Sequence, residues 1–143
     1  VNDNKDIWVA IFEDNPIMMD AYRSILNGSP GYTCTGSFTS CNNWIHDIEK
    51  SKPDVVLMDI EMTGINGIKA TGLIKKEFPR IKILIQTVFE DDTKIFEALC
   101  AGASGYILKR TSPVKMLEAI TDVQNGGVAF NPNVAAKIVT LFQ

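Results

Sequence analysis

Short apolar runs rich in β-branched residues alternate five times with longer stretches of helical period, and no other feature constrains the fold so tightly. The strand candidates are Ile7–Phe12, Tyr32–Phe38, Val55–Met58, residues 81–87 and Gly105–Leu108. The first, third and fourth are nearly uninterrupted apolar runs, as strands buried on both faces require. Right-handed crossovers then make the first strand central, with the third as its neighbour. The expected architecture is α/β: a doubly wound five-stranded parallel sheet in the order 2-1-3-4-5, flanked by helices, with an extra C-terminal helix.

The helix limits are legible as well. Asn15 and Pro16 open the first, Asn27-Gly28 stops it, and Ile17, Met18, Ala21, Tyr22 and Ile25 form its expected apolar face. The second is expected from Ser40, burying Cys41, Trp44, Ile45 and Ile48 and leaving His46 wet, and it ends before Lys52-Pro53. A third spans about 66–78 and is stopped by Pro79; a fourth runs from Asp91 through Ile95, Phe96 and Leu99 to Ala101-Gly102. The fifth starts at Thr111-Ser112-Pro113, carries Val114, Leu117 and Ile120, and ends at Gly126-Gly127. Asn131-Pro132 then caps a last helix with Val134, Ile138, Val139 and Leu141 on one side. Without an interior linker, residues 1–143 read as one domain, with 5–127 the core and 131–143 the closing helix. The chain lacks an initial Met and stops directly after that helix, so it is expected to be a piece of something longer.

Composition excludes several function classes. At 45% hydrophobic and 22% charged residues, 143 residues suffice for one well-filled core. The net charge of -3 is opposite in sign to the footprint of a nucleic-acid binder, so this segment alone is not expected to grip DNA. No apolar run approaches the roughly 18 to 20 residues that span a bilayer, and the start Val1-Asn2-Asp3-Asn4-Lys5-Asp6 is polar, so a cytoplasmic protein without membrane partners is expected. Cys34, Cys41 and Cys100 form no Cys-x-x-Cys and are expected to be reduced packing residues.

In an open doubly wound sheet, functional residues gather at the carboxyl ends of the strands where the strand order reverses. Glu13-Asp14 and Asp59 follow the two strands that flank this point, which brings three carboxylates into one crevice. Two carboxylates about 4 Å apart repel by roughly 4 kcal/mol at an effective dielectric of about 20, so the cluster implies a divalent cation. An oxygen-only set with open positions suits Mg²⁺. Strand four closes with Thr87 and strand five with Lys109, a hydroxyl and a fixed cation suited to hold the new oxygens if Asp59 becomes a phosphoaspartate. Asp59 is the better nucleophile because it stands alone at its strand end, whereas Glu13 and Asp14 are adjacent and better placed as metal ligands.

These residues resemble the receiver domain of two-component response regulators. The likeness runs from Ile11-Phe12-Glu13-Asp14-Asn15 through Val56-Leu57-Met58-Asp59-Ile60-Glu61-Met62 and Thr87 to Tyr106-Ile107-Leu108-Lys109. Segment 96–109, ending in Ala101-Gly102-Ala103-Ser104-Gly105-Tyr106-Ile107-Leu108-Lys109, resembles the LuxR/NarL-type subfamily, and so does Gly126-Gly127-Val128-Ala129-Phe130-Asn131-Pro132. The resemblance implies a flavodoxin-like receiver fold and a phosphorylation-dependent switch that is not an enzyme with turnover. It implies that Asp59 accepts a phosphoryl group from a sensor histidine kinase, and that Glu13, Asp14, Asp59 and the backbone carbonyl of Glu61 hold Mg²⁺. Thr87 and Lys109 would bind the phosphoryl oxygens, and Tyr106 would be the aromatic switch residue. Output would leave through the face of helix four, strand five and helix five, or through a homodimer built on helices one and five. DNA would be reached only through a helix-turn-helix domain beyond Gln143.

Three departures from the family pattern stand out. Thr63 occupies the place of a proline common after Met62, which is expected to loosen that loop, and Arg110 follows Lys109 where many receivers have a cis proline. Glu61 and Phe89, each two places beyond Asp59 and Thr87, occupy positions the family uses to tune phosphoryl lifetime. Other readings compete less well. Asp59-Ile60-Glu61-Met62-Thr63 imitates the nucleophile motif of haloacid-dehalogenase-like phosphatases, but its second acid is Glu and it lies after the third strand instead of the first. A dinucleotide site would need a glycine-rich turn where Glu13-Asp14-Asn15-Pro16 stands. An inactive pseudo-receiver would not keep every chemical position filled. A stand-alone phosphorelay receiver differs from a transcription regulator only in the residues beyond Gln143.

Overall fold

The computed structural model describes residues 5–143, so the first four residues of the polar start lie outside it. Six strands form one parallel sheet: β1 (Ile7–Phe12), β2 (Tyr32–Phe38), β3 (Val55–Met58), β4 (Lys82–Thr87), β5 (Gly105–Leu108) and β6 (Ala129–Phe130), in the order β2-β1-β3-β4-β5-β6. Between and after them run α1 (Pro16–Asn27), α2 (Trp44–Ser51), α3 (Gly67–Glu77), α4 (Asp92–Ala101), α5 (Pro113–Gln124) and α6 (Pro132–Leu141).

The continuous apolar runs still obey the strand period of two. Ala10, Phe12, Val56, Met58, Ile83, Ile85, Tyr106 and Leu108 face one core, shared with α2, α3, α4 and α6. Val9, Ile11, Val55, Leu57, Leu84 and Ile107 face the other, shared with α1 and α5. The helices sit on both faces because each strand has an apolar residue for each side. Four of them begin at side-chain caps: Asn15 accepts from Ile17 N and Met18 N, Asn66 from Lys69 N, Asp91 from Lys94 N and Ser112 from Lys115 N.

The structure corrects several local expectations. The α1 stripe is turned, with Met19, Tyr22 and Leu26 buried while Ile17 and Ala21 face solvent. Val114 on α5 and Phe96 on α4 are exposed too. Ile17 and Val114 are second residues of helices that start above the carboxyl edge of the sheet, where no strand lies beneath them. The second helix opens at Trp44 instead of Ser40, because residues 40–43 form a turn in which Ser40 Oγ accepts from Asn42 N. Cys41 is buried from that turn, Ile45 is exposed, and Cys100 faces solvent instead of packing.

The sixth strand has only two residues and was not foreseen. It pairs Gly105 with Ala129 and Tyr106 with Phe130, and closes an edge that would otherwise be open. Asn131 continues the ladder with its side chain: Oδ1 accepts from Leu108 N at 2.6 Å and Nδ2 donates to Thr111 Oγ1 at 3.0 Å. Asn131 therefore makes no side-chain cap for α6. Val134 of α6 is fully buried in the core against α4, and Lys137 pairs with Asp92 at 3.6 Å.

Candidate functional site

Register alone brings the acids together. Phe12 pairs with Met58, so Glu13 and Asp59 leave adjacent strands side by side, and Asp59 N donates to Phe12 O at 3.0 Å. A ligand oxygen from each of Glu13, Asp14 and Asp59 lies within 4.8 Å of the others. Glu13 is 0% exposed and Asp59 3%, while Asp14 faces solvent. Thr87 pairs with Leu108, which sets Lys109 beside the end of β4 and lets its N donate to Thr87 O at 2.8 Å.

Lys109 Nζ lies 3.0 Å from Asp59 Oδ2 and 3.0 Å from Glu13 Oε1. Burial pulls its ammonium down, but the hydrogen bonds to Asp59 and Glu13 more than offset this and leave it above the ordinary lysine value. Asp59 behaves oppositely to a simple ion pair. Desolvation is the largest effect on it and, with the repulsion from Glu13, outweighs the attraction of Lys109, so its carboxyl is pushed up to about 6. A carboxylate held reluctantly ionised beside a fixed cation gains by receiving a further positive charge, which is what a divalent ion supplies. The donor set is all oxygen and two of its members are buried, so the residues fit Mg²⁺.

The other residues singled out in the sequence also take defined places. Thr87 is fully buried, and its Oγ1 accepts from Phe89 N at 3.3 Å. Tyr106 is 0% exposed and turned inward, and its hydroxyl donates to Phe89 O at 2.8 Å. Glu61 lies two residues past Asp59, its side chain in solvent on the rim of an open cavity lined by Ile60, Met62, Phe89 and Lys94. The loop carrying Thr63 is tied by Asn42, whose Oδ1 accepts from Ile65 N at 3.0 Å. Arg110 is held by two hydrogen bonds to Glu90, and the described residues contain no cis peptide bond. Gly67 opens α3 where a Cβ would come 1.9 Å from Asp59 O, so only glycine lets the helix approach the end of β3 so closely.

Two residues of the site were missed in the sequence. Gln86 is buried on β4, its Nε2 donating to Glu13 Oε1 at 3.0 Å, and the Tyr22 hydroxyl donates to Gln86 Oε1 at 2.7 Å. The signal was present: a glutamine ending the apolar run Ile83-Leu84-Ile85 needs a buried partner.

Residues 9–121 match the family model of the response regulator receiver domain. The chain belongs to this family. It is 36% identical over 138 residues to the uncharacterized transcriptional regulatory protein YxjL of Bacillus subtilis, covering 96% of this chain and 63% of the relative. It is 32% identical over 139 residues to the transcriptional regulatory protein DegU of Brevibacillus brevis, covering 97% and 58%. A two-component response regulator of the LuxR family from Aurantimonas sp. SI85-9A1 superposes with a TM-score of 0.88 at 29% identity, covering 95% of this chain and 97% of the other. The receiver thus has transcriptional regulators of the LuxR type among its relatives, and it spans about three fifths of the length of the curated ones. No helix among the described residues is long and apolar enough to cross a membrane.

Proposed function

We propose that this receiver is a Mg²⁺-dependent phosphorylation switch, with Asp59 as the phosphoacceptor. The observation that carries the reading is Asp59 itself: a nearly buried carboxylate with a lysine at 3.0 Å and two further acids within metal-sharing distance. Asp59 Oδ attacks the phosphorus of a kinase phosphohistidine; the new P–O bond forms as the P–N bond breaks, and the imidazole, already protonated on its other ring nitrogen, takes the bonding pair and leaves neutral. Glu13, Asp14, Asp59 and the Glu61 carbonyl would hold Mg²⁺, which supplies charge neutralisation for the transferred group. Lys109 stays protonated and follows the new oxygens from the position it already holds. The chain thus assists its own phosphorylation without being an enzyme with turnover.

The hydrogen bonds suggest how the change spreads. Thr87 Oγ1 holds Phe89 N, and Phe89 O holds the Tyr106 hydroxyl. When the Thr87 hydroxyl turns to a phosphoryl oxygen, the Phe89 amide loses its acceptor, the β4–α4 loop re-forms, and the acceptor of Tyr106 moves with it. This biases a two-state equilibrium at α4 and β5. Because β6 and α6 pack on β5 and α4, the output face of this chain includes α6. For a longer protein the proposal extends to a cytoplasmic location, a sensor kinase partner, dimerisation on phosphorylation and DNA contact through a further helix-turn-helix domain, and the names of its relatives as transcriptional regulatory proteins support the last of these. The test is incubation with acetyl phosphate and Mg²⁺ followed by intact mass measurement. One phosphoryl group should add to the wild type and none to Asp59→Asn; equal labelling of both would overturn the assignment.

A further inference from the structure

We propose that Gln86, oriented by Tyr22, is a positioning residue for Glu13 and sets the affinity of the acidic pocket for Mg²⁺. The inference rests on reading that pocket as the metal site. Glu13 is wholly buried, so its carboxylate depends on the donors the fold provides: Asn15 N on Oε2, and Gln86 Nε2 and Lys109 Nζ on Oε1, each at 3.0 Å. Lys109 is shared with Asp59 and is called away when a phosphoryl group arrives. Asn15 N and Gln86 are then the fixed anchors of Glu13 among the described residues. Without Gln86, Oε1 has only the lysine it shares with Asp59, and Asn15 N on Oε2 is the one anchor left that belongs to Glu13 alone among the described residues.

The glutamine amide has one workable orientation. Glu13 only accepts, so Nε2 must face it and Oε1 must face away. Oε1 meets the Tyr22 hydroxyl at 2.7 Å, reached from α1 across the interior. Burial, then the charges of Glu13 and Asp59, push the Tyr22 hydroxyl well above the ordinary tyrosine range, so it remains a donor. An apolar residue at position 86 would fill the α1–α5 core with no polar group to satisfy. Among the described residues the Gln86 side chain is hydrogen-bonded to Tyr22 and Glu13 alone, so this buried chain leads to the acidic pocket and nowhere else.

The test measures Mg²⁺ affinity by calorimetric or amide-spectrum titration, together with melting of the metal-free protein, for wild type, Gln86→Met, Tyr22→Phe and the double variant. Gln86→Met should weaken Mg²⁺ binding about tenfold, as loss of a group that orients a metal ligand typically does. Tyr22→Phe keeps the ring and should weaken binding about threefold. The double variant should match Gln86→Met alone, because Tyr22 acts through Gln86. If Gln86→Met does not fold, Tyr22→Phe decides by itself. A purely structural role predicts lower melting temperatures with Mg²⁺ affinities within about twofold of wild type, and that result overturns the inference while leaving the metal site standing. A wild type that binds no Mg²⁺ overturns both.

Discussion

Replacing Asp59 by Asn should stabilise the metal-free receiver at neutral pH, and the gain should disappear in acid. Burial, helped by Glu13 and opposed by Lys109, raises the Asp59 carboxyl from 3.8 to about 6. Each tenfold change in acidity is worth about 1.4 kcal/mol, so keeping this group ionised in the fold at pH 7 costs up to about 3 kcal/mol. The folded protein binds more protons than the unfolded chain between these two values. Stability is therefore highest below about pH 4, falls as pH rises through about 6, and is level above about 7 as far as this group is concerned. Asn imitates the protonated carboxyl and escapes the cost. For a chain of this length, 1 kcal/mol moves the melting temperature by about 3 to 4 °C, which puts Asp59→Asn up to about 10 °C above wild type at pH 7.5. At pH 4 the two should melt together. Saturating Mg²⁺ should narrow the gap at pH 7.5, since a ligand at a hundred times its Kd adds about 2.7 kcal/mol to the protein that binds it. Circular-dichroism melts at both pH values, with and without Mg²⁺, make the measurement. Destabilisation of Asp59→Asn at pH 7.5 without metal, or an undiminished gain at pH 4, would refute the reasoning.

Asp14→Asn removes one crowded charge from an exposed position, so it should weaken Mg²⁺ binding while preserving or raising thermal stability; unchanged affinity in a calorimetric titration would argue against a ligand role. Lys109→Ala should fold and accept phosphoryl from a small donor, yet lose about 3 kcal/mol of metal-free stability at pH 7.5, because Glu13 and Asp59 lose the cation between them. The loss should shrink at pH 5, where one of the two carboxylates takes up a proton. With beryllofluoride and Mg²⁺, the same variant should lack the amide shifts that wild type shows around Phe89 and Tyr106, and a full wild-type response would show that the switch does not need Lys109 on the new oxygens.

The order of the first five strands and of the helices, the parallel sheet and the carboxylate crevice were legible in the linear pattern. Apolar runs and caps are local properties, and a parallel sheet with right-handed crossovers has few ways to arrange five such units. Asp59, Glu13, Thr87 and Lys109 could be placed at the carboxyl edge because each immediately follows or ends a strand, with Asp14 one residue beyond Glu13, and strand ends are where a doubly wound sheet collects its chemistry. Helix faces were less legible. Ile17, Phe96 and Val114 are apolar yet exposed, because burial depends on which neighbour lies opposite and not on the residue's own character.

Only the tertiary structure decided the polarity inside the site. That Lys109 reaches both Glu13 and Asp59, that Tyr106 is turned inward onto Phe89 O, and that Gln86 and Tyr22 stand behind Glu13 are contacts between residues 17 to 96 positions apart, set by register and by the depth of the core. The two-residue strand β6 and the Asn131 bridge to Leu108 belong to the same class, because so short a segment has no periodicity of its own and becomes a strand only when β5 offers it an edge. Sequence thus determined which groups arrive at the carboxyl edge of the sheet. Packing determined which of them lose water, and hence that the Asp59 carboxylate is held against its charge.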